Sequence, residues 1–169
     1  SEYSNVSLPS GGSFPAAAPT IFAFWDDLNL RYGGGIYTHL VGTAPNRRWV
    51  VRWQGRHFTD PPPNVFDPGQ HSVHVALIFD EDSSTFEIQY LSMFIGGPGN
   101  QGASATVGVQ SANAGVGNAT QISFNNSPPI YQGLVLVAAL PTPECSIGAG
   151  VCEVAPDRLF TDGFESGAP

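Results

Sequence analysis

Lysine is absent from the 169 residues, and charged residues make up only 12 % of them, about half the usual share. The six basic residues are all arginines (Arg31, Arg47, Arg48, Arg52, Arg56 and Arg158), set against 14 acids for a net charge of −8. Nucleic acid is excluded as a partner, because phosphate binding needs clustered bases. The run from Arg47 to Arg56 is basic, but a strand there divides it between two faces. Long apolar runs are also missing. No stretch approaches the ~20 residues of a membrane helix, so no transmembrane segment is expected. No secretory leader opens the sequence, and Ser1 reads as a processed or truncated end. No G-x-S-x-G elbow is present to carry a serine nucleophile. Cysteine is limited to Cys145 and Cys152, with six residues between them in "ECSIGAGVCEV". An even count in a secreted-looking chain favours a disulfide between them, and a zinc site would want two further ligands nearby. No window shows a helical period, so little or no α-helix is expected.

What is present is β-rich. "TIFAF", "GIYTHLV", "RWVVRWQG", "SVHVALIF", "TFEIQYLS", "ASATVGVQS", "ATQISF" and "GLVLVAAL" are short runs separated by turn residues. That pattern is the signal of an all-β sandwich or barrel, and the fold expected is an antiparallel, jelly-roll-like β-sandwich. Alternation is clear in several runs: Trp49, Val51 and Trp53 share one face, and Phe86, Ile88 and Tyr90 another. Such strands fit sheets with one wet face. "DEDSS", residues 80–84, predicts a hairpin turn. Three regions follow: an extended lead-in over 1–19, a sandwich domain over 20–140, and a C-terminal tail over 141–169 that holds the small disulfide loop.

The stretch "FAFWDDLNLRYGGGIY", residues 22–37, poses the sharpest question. Asp26 shares a strand face with Phe24, and Asp27 shares the other with Trp25. One carboxylate therefore points at packed aromatic surface. Asp26, Asp27 and Asn29 offer oxygen ligands in an irregular loop, which suits calcium, the one candidate cofactor. The alternative is an inward aspartate bonded to loop amides or to an arginine. "DEDSS" admits calcium too, or a solvated turn. Glycosidase chemistry needs two carboxyls ~5–10 Å apart across a cleft, which neighbours on opposite faces do not supply. His71 and His74 point to opposite faces of one strand, His39 reads as an exposed strand residue, and His57 as a surface group beside Asp60. Trp49, Trp53 and Tyr32 can stack on sugars if exposed, but the continuous apolar face of Trp49, Val51 and Trp53 favours core packing.

The segments "APTIFAFWDDLN", "GGGIYTHLVGTAPNRRWVVRWQG", "HVALIFDEDSSTFEIQY" and "SATVGVQS" together resemble a β-sandwich module of bacterial secreted and cell-surface proteins related to the nidogen-type extracellular (NIDO) domain. The resemblance spans about residues 15–140. "DRLFTDGFESG" resembles a short terminus found on assorted bacterial secreted proteins. The resemblance implies a secreted or cell-surface location and a structural or adhesion role without catalytic residues. It also implies that the first strands of the sandwich are missing, to be filled by an upstream fragment or by a neighbouring subunit. The expected partners are accordingly protein, by self-assembly or an upstream fragment, or glycan. A carbohydrate- or calcium-dependent binding module of a secreted enzyme is the alternative.

Overall fold

The computed structural model describes residues 5–10, 19–31, 33–58, 73–83, 85–93, 101–111, 119–139 and 164–166. Among them are ten strands and no α-helix: β1 (Thr20–Trp25), β2 (Leu28–Asn29), β3 (Gly35–Thr43), β4 (Asn46–His57), β5 (Val73–Asp80), β6 (Thr85–Met93), β7 (Thr106–Gln110), β8 (Ala119–Phe124), β9 (Val135–Ala139) and β10 (Phe164–Ser166). All pairings are antiparallel. The smaller sheet has the order β1-β7-β8. The larger runs β10-β9-β6-β5-β4, and β2 and β3 lie end to end along the far edge of β4. The fold is an all-β sandwich. Cys145, Cys152, Tyr32, His71, Leu159 and Phe160 lie outside the described residues. The tail carries one strand that its composition did not announce, β10, which pairs with β9.

The core follows from alternation. Phe86, Ile88 and Tyr90 of β6, Val75 and Leu77 of β5, and Leu136 and Ala138 of β9 face Ala23, Phe24, Val107 and Val109 of the smaller sheet. Removing this apolar surface from water is the main driving force for pairing the sheets. β1 departs from strict alternation. Its register shifts between Phe22 and Trp25, so Ala23 and Phe24 both join the core while Phe22 stacks on Trp25 at 4.9 Å. A bulge of this kind bends the strand. The Ala23 carbonyl then accepts a hydrogen bond from the Tyr90 hydroxyl at 2.7 Å. Burial pushes the Tyr90 phenol well above its usual range. Tyr90→Phe removes this bond and will cost about 1.5 kcal/mol in urea unfolding, with the slope unchanged. An unaltered midpoint would show that the bond contributes nothing net.

The outer face of β5 is drier than expected. Ala76 and Ile78 are buried, although they point away from the core. Ile78 pairs with Val50 on one side and Glu87 on the other. Arg48 reaches across this surface to Asp80 at 2.6 Å and Glu87 at 3.3 Å. Long charged side chains cover apolar neighbours while keeping their heads in water. The "DEDSS" turn closes the β5–β6 hairpin, and two of its three acids pair with β4: Asp80 with Arg48, and Glu81 with Arg47. The hydrogen bond from Arg47 holds the Glu81 carboxyl below its usual range. Residues 5–10 lie on the outer face of the smaller sheet. Ser10 and Gln110 exchange two hydrogen bonds of 3.0 Å, and the Leu8 amide donates to Gln121 at 2.8 Å.

Candidate functional site

Asp26 and Asp27 stand where the chain leaves the smaller sheet, at the end of β1, and enters the larger one as β2. The backbone of this corner is held by the Phe58 amide, which donates to the Asp27 carbonyl at 2.9 Å. Alternation requires one of the two carboxylates to turn inward without saying which; it is Asp26, whose side chain is 6 % exposed. Its Oδ1 accepts the Asp27 amide at 2.8 Å. Its Oδ2 accepts the Ser104 hydroxyl at 2.9 Å and lies 3.4 Å from His57 Nε2. Ser104 sits just before β7 and His57 at the end of β4. Asp26 therefore ties the smaller sheet to the larger one across the corner. Burial without partners would cost a carboxylate several kcal/mol, so these donors are what permit it to face inward.

Aspartate, histidine and serine are also the members of a nucleophilic triad. A triad needs the two imidazole nitrogens to face opposite partners, one the acid and the other the hydroxyl. Here a single nitrogen, Nε2, faces both Asp26 Oδ2 at 3.4 Å and Ser104 Oγ at 3.2 Å. The geometry is that of a buried structural contact. His57, expected at the surface, is 5 % exposed; it is buried because β2 and the β1 corner fold over the end of β4. Of the remaining residues predicted for calcium, Asn29 accepts the Arg31 amide at 2.9 Å through its side-chain oxygen. Among the described residues, no three His, Cys, Asp or Glu side chains converge to hold a metal ion.

The second feature is a step in the sandwich. Among the described residues the smaller sheet ends at β1, and the larger sheet continues beyond it through β4 to β3. Two cross-strand rows on the inner face show this. Ile36, Trp53 and Val75 are aligned neighbours, as are Leu40, Trp49, Phe79 and Phe86. Ile36 is 56 % exposed and Val75 only 1 %. Leu40 and Trp49 are 55 % and 48 % exposed, and Phe86 only 1 %. Trp49 stacks on Phe79 at 5.6 Å, and Phe79 meets Phe86 at 5.9 Å, so one aromatic ladder runs from solvent into the core. The expectation that Trp49 packs in the core is thus corrected. It lies on the core-facing side, but nothing among the described residues covers that end of it. A cavity of about 350 Å³ opens at the foot of the step, lined by the length of β1 together with Leu28, Leu30, Ile36 and Trp53.

A family model described as "NIDO related" matches residues 1–135. The chain belongs to the NIDO-related family. Comparison with curated proteins and with solved structures returned no match. Membership of the NIDO-related family points to an extracellular module. No helix among the described residues is long and apolar enough to cross a membrane. Ser104 and the burial of His57 went unforeseen in this NIDO-related chain. Their contacts join positions 78 and 47 residues apart, and no local pattern marks either residue. The step could have been anticipated only in part: "IYTHL" carries apolar residues on both faces, which is unusual for a strand with one wet side.

Proposed function

We propose that this NIDO-related domain is a non-enzymatic structural or adhesion module of the secreted or cell-surface compartment, which assembles with another polypeptide through the uncovered inner face of β3 and β4. The observation that carries this reading is the exposure of Ile36, Leu40 and Trp49 on one side of that hairpin. Soluble monomers rarely expose large contiguous apolar patches, and those that do use them for contact.

The test follows the tagged chain in the cells that make it. The wild-type chain is expected in the extracellular or surface fraction, in complexes larger than itself. Leu40→Lys will reduce its share in those complexes by about fivefold or more, because a buried unpaired ammonium opposes association. Recovery only from the cytoplasm, or complexes indifferent to Leu40→Lys, would overturn the reading.

A further inference from the structure

Among the described residues, two of the strands with a single neighbour border the step: β1 pairs only with β7, and β3 only with β4. Free edges beside apolar surface are templates for pairing. The step gives them a definite shape. β1 lies against β5, its nearest strand in the larger sheet, and two further strands, β4 and β3, project past it. At ~4.8 Å per strand, the strip beside β1 in which no described residue forms a strand is about 10 Å wide, the width of two strands.

We infer that two copies of this chain interlock at the step, β3 of each pairing with β1 of the other, and the two uncovered apolar faces closing on one another about a twofold axis. This rests on the reading of that face as an assembly surface, and it names the partner. Rotation by 180° about an axis along the strands, midway between the layers, carries the overhanging β4 and β3 of a second copy into the smaller-sheet layer beside β1. A two-strand overhang fills a two-strand gap, and the reciprocal contact forms at the same time, as an isologous interface requires. Pairing β1 directly with β1 of a second copy fails, because both overhangs would then occupy the same layer.

Strand direction agrees. β1 runs from Ala23, at the Tyr90 hydroxyl, to Asp26, against His57. Tyr90 is aligned through Val75 with Trp53, so β1 runs the same way as β4 and opposite to β3. An axis along the strands preserves direction, which makes the new β1–β3 pair antiparallel, the more stable kind. Chemistry agrees as well. The closing face presents Ile36, Thr38, Leu40, Trp49, Val51 and Trp53. Its one charged side chain, Arg47, is already paired with Glu81, so the net charge of −8 places no unpaired charge on it. The cavity beside β1 lies under the incoming strand.

The experiment is sedimentation velocity of the purified full chain from about 1 to 300 µM, a range that brackets most specific dimers. A reversible dimer is expected. Leu40→Lys and, independently, Ile36→Lys will each weaken it by about 100-fold, since the twofold axis buries every substitution twice. Val41→Lys, on the opposite face of the same strand and also exposed, will change the dissociation constant by less than about threefold. Both inner-face positions are solvent-exposed in the single chain, and far-UV circular dichroism checks the fold. Amide exchange at residues 21–24 will slow as the dimer forms. A monomer at every concentration overturns the inference, as does a dimer that Val41→Lys weakens as much as Leu40→Lys does. A monomeric purified chain whose extracellular complexes still depend on Leu40 would dismiss the dimer and leave the assembly reading standing.

Discussion

Gly108→Ala will destabilise the domain by about 3 kcal/mol or more and lower its melting midpoint by about 6–12 °C. Gly108 sits in the middle of β7, the central strand of the smaller sheet. A β-carbon there would run into the backbone carbonyl oxygen of Thr120 on β8 and come within 2.7 Å of Leu8 Cδ1. The register of the β7–β8 pair shifts at this point, between Val107 and Gly108, and the missing side chain is what lets β8 and the lead-in both close on β7. Leu8 can be trimmed, but the carbonyl cannot. The double variant Gly108→Ala with Leu8→Ala will therefore recover only a minor part of the loss. Thermal and urea unfolding of the three proteins decide it. Full recovery in the double variant would assign the clash to Leu8 and remove the backbone from the account.

Asp26→Ala will cost about 3 kcal/mol, and Asp26→Asn about 1 kcal/mol. Alanine withdraws the acceptor from the Asp27 amide and the Ser104 hydroxyl, and leaves the buried His57 facing a void. Asparagine keeps one oxygen for the Asp27 amide, and the Ser104 hydroxyl can rotate to accept from the new amide. Ser104→Ala alone will cost about 1 kcal/mol, and the cycle with Asp26→Ala will show a coupling of about 1–2 kcal/mol. Equal losses for Asn and Ala would show that charge outweighs hydrogen bonding at the corner. No loss in either would dismiss Asp26 as the tie between the sheets.

That one aspartate turns inward was legible, but not which. Two acids ending an apolar strand must point to opposite faces, so either Asp26 beside Phe24 or Asp27 beside Trp25 had to meet packed surface, and the packing decides for Asp26. Its partners were not legible, because Ser104 and His57 reach it from distant strands that only the packing of the two sheets brings together. The strand pattern, the β5–β6 hairpin at "DEDSS", and the common face of Trp49, Val51 and Trp53 were likewise readable from alternation. The bulge at Ala23 and Phe24 was not, since both orders of alternation suit an all-apolar run.

The sequence by itself determined that this protein is all-β, a sandwich by its family resemblance, low in charge, with one carboxylate turned inward at the end of β1. Hydrophobic period and turn chemistry are local, and they survive without knowledge of the neighbours. Only the tertiary structure decided what lies on top of each face. Alternation tells which side of a strand is apolar, not whether another sheet reaches far enough to cover it. Trp53 and Trp49 stand on the same side of the same strand, four residues apart. One packs against the core and the other meets water, because among the described residues the smaller sheet stops at β1 and the larger one does not.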